Sequence, residues 1–536
     1  MTKSIAEQIR EILKKKRKRS LDYSIKEGSA YSIMAGMGEN YFSTFAIALK
    51  ASNSEIALLS SIPQLLGSGF QLLSAELVDK FKNRKSVMIA SALIQAFVYL
   101  PILLIPFIFS SNAAVMLIAF VALYQILGNF ISPPWNSLMG DLVPENERGN
   151  FFGKRSRLIG ITIFLSFITA GIILNRFHDS NVFYGFAIIF IIAMIARLFS
   201  AYYFQRMYEP PYEPVNDVKL GFKEFASNLM GSQFGKFTLY LFLINFAVYI
   251  SNPFFIVYMF RTLNFSYLQF VIVTAANVIV TYTTMYYWGK NSDVFGNMKI
   301  MTITGWLIFL NPLLWLLPFG FWYILFVQMW TGFVWAGFQI STTNFIFDNV
   351  KPEIRAKMIA NFNFLMGIAV FLGATIGGIL VTYVFLSPWI FLSNVQILFM
   401  ISGLLRLITS SLFLGKFKEM REVAPSESNS LFVDLVAVRP MHKIAAETVV
   451  GIYALKNLGK SGVDFGKRIV DESIKLMQRE DKRVVEIEEI LKNINFERRK
   501  QREKEFMELE KEDKKRRKMK EIFKKIKRER NKGKKL

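Results

Sequence analysis

The chain contains no cysteine and only two histidines in 536 residues. The first absence removes thiolate nucleophiles, disulfides, Cys-ligated zinc and Cys-held iron–sulfur clusters. The second leaves His178 and His442 far apart in sequence, so no metal cluster or cofactor is expected. Acidic residues are scarce as well, 41 Asp+Glu against 65 Lys+Arg, for a formal net charge of +24. That charge is segregated. Residues 1–28 hold nine Lys/Arg and four Asp/Glu, and residues 415–536 hold 34 and 22, which places +17 in the two tails. The remainder is mostly apolar, in a chain that is 52% AVILMFWYC and contains 52 Phe. A soluble globule cannot bury such a stretch, whereas a polytopic membrane protein must have it. The one nucleotide-site lookalike, Gly459-Lys460-Ser461, has Ala454 where a phosphate-binding loop requires Gly. With no catalytic constellation either, enzymatic activity is not expected.

Twelve apolar stretches reach membrane-spanning length: 29–50, 55–78, 86–109, 112–139, 151–175 and 181–206, then 234–261, 265–289, 298–318, 320–347, 356–386 and 389–414. Residues 1–28 lack the apolar core of a signal peptide, so the first stretch is expected to insert the chain. The even-numbered connections carry 17 Lys/Arg, among them Lys80, Arg84, Lys85, Arg148, Arg155 and Arg355, against three in the odd-numbered ones. This bias predicts cytoplasmic N- and C-termini in the cell membrane. The expected architecture is an all-α polytopic membrane protein. Six spans occupy 29–206 and six occupy 234–414, joined by a polar linker at 207–233 with three Pro. A basic segment (1–28) precedes them, and a charged tail (415–536) follows, amphipathic over 430–458 and a basic helix over 466–530.

The two halves repeat. Ala75-Glu-Leu-Val-Asp79-Lys-Phe81-Lys-Asn83-Arg-Lys85 is echoed by Gly289-Lys-Asn-Ser-Asp293-Val-Phe295-Gly-Asn297-Met-Lys299 at a constant offset of 214. Gly160-Ile-Thr-Ile-Phe164-Leu165 is echoed by Gly367-Ile-Ala-Val-Phe371-Leu372 at 207, an offset that Gly171/Gly378 and Arg148/Arg355 share. Arg197-Leu-Phe-Ser200 is echoed by Arg406-Leu-Ile-Thr409 at 209. Each half has an even number of spans, so the repeat is parallel, about an axis along the membrane normal. Across about residues 29–414 the sequence resembles the major facilitator superfamily, on the loop signature after spans two and eight and on Asp141-Leu-Val-Pro144-Glu-Asn-Glu-Arg148 with its echo Asp348-Asn-Val-Lys-Pro352-Glu-Ile-Arg355. Ala75 and Lys82 stand where that signature has glycine, and the drug-antiporter Gly-Pro pattern is absent from span five. The resemblance implies a secondary carrier with a central cavity between spans 1, 4, 7 and 10.

Polar residues in the spans supply the candidate machinery. Asp79 with Arg84 and Lys85, and Asp293 with Lys299, are read as a conformational latch, with Arg148 and Arg355 as cross-domain partners. Such contacts bias a two-state equilibrium when formed in one conformer alone. Glu39 lies eleven residues before Lys50, roughly 16 Å of helical rise, and is read as the proton-carrying group. Asn40, Gln125, Asn129, Asn245 and Asn252 are read as cavity-lining. Arg197 and Arg406 are read as snorkelling toward the cytoplasmic headgroups. The expected partners are a small-molecule substrate and the bilayer, with anionic lipid at the basic tails and no nucleic acid, and the protein is expected to act as a monomer. A transporter-shaped sensor or scaffold working through the tail is the alternative.

Overall fold

Hydrocarbon offers a backbone no hydrogen-bond partner, so apolar segments must close their own bonds, and helix does this within one segment. The computed structural model describes residues 5–418 apart from 82, 110–111, 145–147, 179, 211–221, 228, 230, 318, 351–354 and 384–392. These residues lie in one compact unit, Met1–Ser426, and include no strand. The tail elements expected at 430–458 and 466–530 lie outside the described residues. The first half contains α1 (Ile5–Met37), α2 (Phe42–Ala48), α3 (Asn53–Phe81), α4 (Arg84–Ile108), α5 (Ala113–Leu142), α6 (Arg148–Arg176) and α7 (Val182–Arg206). A short α8 (Phe222–Ser227) lies in the linker. The second half contains α9 (Gln233–Val257), α10 (Tyr267–Phe295), α11 (Asn297–Leu307), α12 (Leu310–Leu314), α13 (Phe321–Asn349), α14 (Arg355–Tyr383) and α15 (Asn394–Phe413). Among the described residues nine helices are long and apolar enough to cross a membrane: α4, α5, α6, α7, α9, α10, α13, α14 and α15.

Two expected spans are interrupted, each for a local reason. The 29–50 stretch is not one helix. Its helix begins at Ile5, ends at Met37, and gives way to a single 3-10 turn at Glu39–Tyr41 before α2. Gly38 sits at the break because a Cβ there would lie 2.2 Å from the Tyr99 hydroxyl. The expected boundary at 28/29 is also displaced, since Ser20, Ser24 and Glu27 are already buried in the bundle. The 298–318 stretch breaks at Ile308–Phe309, where Pro312 has no N–H to offer the Ile308 carbonyl one turn earlier.

The helix pairings in the two halves correspond one to one. In the first, α1 packs on α6 and α7, α4 on α5 and α7, and α3 on α5; in the second, α9 packs on α14 and α15, α11 on α13, α12 on α15, and α10 on α13. The halves meet along α3–α14 and α6–α10. The repeated glycines Gly171 and Gly378 lie on these two seams. A Cβ at Gly171 would meet Val271 at 2.1 Å, and one at Gly378 would meet Ala57 at 2.9 Å. Small residues let helices approach closely where lipid provides no hydrophobic drive.

Candidate functional site

The break after α1 presents Glu39 toward α5. Its Oε2 accepts a hydrogen bond from the Tyr124 hydroxyl at 3.1 Å, and the Tyr99 ring packs edge-on to Tyr124 with centroids 5.6 Å apart. Glu39 is half-buried and its neighbour Asn40 is exposed. A carboxylate with one tyrosine donor and partial access can exchange a proton without dismantling its surroundings.

One helix face below it carries a second ionic cluster. Glu27 Oε2 accepts from Arg155 Nη2 at 3.1 Å, and Glu27 Oε1 accepts from Ser200 Oγ at 3.1 Å. Ser200 in turn accepts from Arg197 Nη1 at 2.8 Å, and that nitrogen lies 4.0 Å from Glu27 Oε1. Arg155 lies over the Trp135 ring, 4.4 Å from its centroid, and Arg197 over the Tyr31 ring at 5.3 Å. Sequence reasoning missed Glu27 by assigning it to the basic segment. The signal was present: Ser20, Ser24, Glu27 and Tyr31 recur at helical spacing, and they face the Tyr208 N–H, Met139, Arg155 with Ser200, and Arg197 in turn. Arg197 and Arg406 do not snorkel. Both are buried, Arg197 turned to Glu27 and Ser200, and Arg406 turned to the Ile308 carbonyl and Ser251.

The cavity candidates separate into two groups. Gln125 Nε2 reaches Gln64 Oε1 at 3.5 Å, and Asn129 donates to the Gln125 carbonyl at 2.9 Å, so this pair stays together on α5. Asn245 donates back to the Leu241 carbonyl at 2.8 Å, whereas Asn252 is exposed. Other polar residues act between helices: Asn277 of α10 donates to the Gln328 carbonyl of α13 at 3.0 Å.

At the end of the bundle that holds the start of α4, Arg84 is buried and gripped by Asp141 at 2.6 Å and Glu209 at 3.5 Å. Lys85 Nζ donates to the carbonyls of Gln205 and Met207. In the second half the matching acid Asp348 accepts at 2.8 Å from Nδ2 of Asn297, one residue before Met298, the position that matches Arg84. In both halves an acid at the end of one helix thus holds the start of another, with a guanidinium in the first and a neutral amide in the second. Lys299 is half-buried beside Asn297. The side chains of Asp79, Asp293, Arg148 and Arg355 lie outside the described residues. At the opposite end the halves are bridged. Arg261 donates to Asn53 Oδ1 at 2.7 Å and to the Ala51 carbonyl, and Ser54 and Thr382 share a hydrogen bond of 2.8 Å.

The sequence profile of the Major Facilitator Superfamily matches residues 29–250 and again residues 237–458. The chain belongs to the major facilitator superfamily. As a member, it is a multi-pass membrane protein with a transporter fold. The nucleoside transporter NupG superposes with a TM-score of 0.56 at 17% identity, covering 75% of this chain and 100% of that one. A D-xylose–proton symporter superposes with 0.58 at 14%, covering 76% and 99%. An auto-inhibited POT family peptide transporter superposes with 0.59 at 11%, covering 76% and 99%. No curated protein sequence matches the chain. At these identities the solved structures speak for the shared fold, in which the repeated pairings of this superfamily member are at home.

Proposed function

We propose that this chain is a secondary active carrier of a small solute. It crosses the cell membrane twelve times with both termini cytoplasmic, and its halves, 29–206 and 234–414, rock about a midplane cavity. Glu39 carries the coupling proton, and Asn40, Gln125, Asn129, Asn245 and Asn252 line the path. The observation that carries the reading is Glu39 itself, a half-buried carboxylate held by Tyr124 at a helix break inside a bundle of transporter fold. The bridges from Arg261 and Ser54 then belong to the state closed on the outer side. The grips at Arg84 and Asn297 hold each half rigid while the seams at Gly171 and Gly378 slide. Asp79, Asp293, Lys299, Arg148 and Arg355 complete the latch.

The test uses the purified carrier in proteoliposomes. A thermal-shift panel of nucleosides, pentoses and dipeptides, the solute classes named for its structural neighbours, selects the solute. Uptake of that solute is then followed with and without an imposed pH gradient. The wild type is expected to accumulate solute only with the gradient. Glu39→Gln keeps an acceptor for the Tyr124 hydroxyl but holds no exchangeable acidic proton, so it is expected to equilibrate solute without accumulating it. Gradient-driven accumulation that survives Glu39→Gln removes the residue from the coupling role.

A further inference from the structure

The internal repeat sets two buried arginines side by side for comparison. Arg197 and Arg406 occupy equivalent places at an offset of 209 and are 1% and 2% exposed. Arg197 shares its surroundings with Glu27, whose Oε1 lies 4.0 Å away. Arg406 has no carboxylate oxygen within 4.0 Å among the described residues. A guanidinium is permanently charged, and an unpaired ion in a dry interior is expensive.

What surrounds Arg406 is polar but neutral. Pro312 frees the Ile308 carbonyl, and Arg406 Nη1 and the Asn311 backbone N–H both donate to it at 3.3 Å. The two donors therefore lie at most about 6.6 Å apart, twice that distance. Arg406 Nη2 donates to Ser251 Oγ at 3.1 Å, and Ser251 is linked to Ser402 at 3.0 Å. Two of the five guanidinium donors are thus used. Nε has no hydrogen-bond partner, and neither does either amide atom of Asn311, a residue 3% exposed. The negative end of α11 offsets part of the charge. It supplies about half a unit at best and leaves the Nε edge and the Asn311 amide unmatched.

We propose that Arg406 and Asn311, at the break between α11 and α12, bind a small monovalent anion. Guanidinium and carboxamide N–H groups are anion donors, and the anion removes the surplus charge that the second half, lacking an equivalent of Glu27, leaves uncompensated. Close packing limits its size. Three residues before Arg406, a Cβ on Gly403 would meet Leu313 Cδ2 at 2.7 Å and the Phe309 carbonyl at 3.2 Å. Chloride, a small monoatomic anion, is therefore the occupant proposed.

The test needs no transport assay, so its outcome is separable from that of the carrier reading. The full-length protein in detergent is exchanged into sodium gluconate, and chloride replaces gluconate at constant ionic strength while thermal unfolding is followed by tryptophan fluorescence. A ligand bound only by the folded state raises Tm with concentration above its Kd. The wild type is expected to show a rise that continues with the logarithm of chloride once a threshold is passed. Arg406→Met is expected to lose that dependence, and Asn311→Leu to shift it to higher chloride. A parallel titration with acetate separates a halide site, which responds to chloride alone, from one that also takes a carboxylate. A flat wild-type response to both anions overturns the proposal, as does a chloride response retained in Arg406→Met. Should Arg406→Met fail to fold, Asn311→Leu decides alone, and a response identical to the wild type overturns the site.

Discussion

Glu27→Gln is expected to cost about 3–5 kcal/mol of stability, because it leaves two arginines in a dry interior without their shared anion. The side chains involved are all largely shielded, 4% exposed for Glu27, 14% for Arg155 and 2% for Arg197. Solvent therefore does little to screen the loss. The amide accepts from Ser200 as the carboxylate does, so hydrogen bonding alone does not account for the predicted effect. Thermal unfolding of the purified variant should show a clearly lowered midpoint. Adding Arg155→Gln removes one of the stranded charges, and the double variant should be more stable than the sum of the two single losses implies. A Glu27→Gln midpoint equal to that of the wild type would show that the cluster is neutralised in some other way.

The second large effect is steric. A Cβ at Gly373 would lie 2.3 Å from the Phe246 carbonyl oxygen, and one at Gly377 would lie 2.3 Å from that of Ile250. Backbone oxygens within a helix cannot turn aside as a flexible side chain can, so α14 and α9 must separate along their shared face. Gly373→Val and Gly377→Val are each expected to cost on the order of 3 kcal/mol, the upper part of the usual range for overpacking. The pair together should abolish a monodisperse peak in size-exclusion chromatography. Gly160→Ala provides the contrast. Nothing lies within 4 Å of a Cβ there, so relief from glycine's helix penalty should stabilise by about 0.5–1 kcal/mol. A destabilised Gly160→Ala or a well-behaved Gly373→Val, Gly377→Val protein would contradict the packing described.

The same glycines show how far the sequence was legible. Gly171 and Gly378 match in register, and they do lie on corresponding seams between the halves. Gly160 and Gly367 match equally well, yet the first faces open space and the second faces the Ser68 hydroxyl at 2.2 Å from an added Cβ. Repetition reveals common descent of position, and the neighbouring helix decides what the position does. Apolar runs placed most helices within a few residues, because length and hydropathy are enough to fix them. They failed at 29–50 and 298–318, where Gly38 and Pro312 break helices inside apolar sequence. Glu39 was visible because charge is rare around it. Glu27 was not, because the run Lys14–Arg19 next to it made the whole segment look solvated. Arg197 and Arg406 do not lie at helix ends: they fall nine and seven residues before the last residues of α7 and α15, and which way a long side chain turns there depends on partners from other helices. Arg84 is read in the sequence with Asp79, whose side chain lies outside the described residues; its described partners Asp141 and Glu209 come from 57 and 125 residues away, a distance no local pattern reveals.

Helix α1 runs unbroken for 33 residues from Ile5 to Met37, a rod about 50 Å long at 1.5 Å per residue. Its second half is wedged among α6 and α7, so its first half is a stiff lever and not a tether. Any tilt of the first bundle is therefore magnified at Ile5, and a fluorophore fixed there would report the swing of that bundle directly. The basic stretch Lys14–Arg19 rides on the same lever, which makes the depth of those charges relative to the lipid headgroups a property of the bundle's inclination.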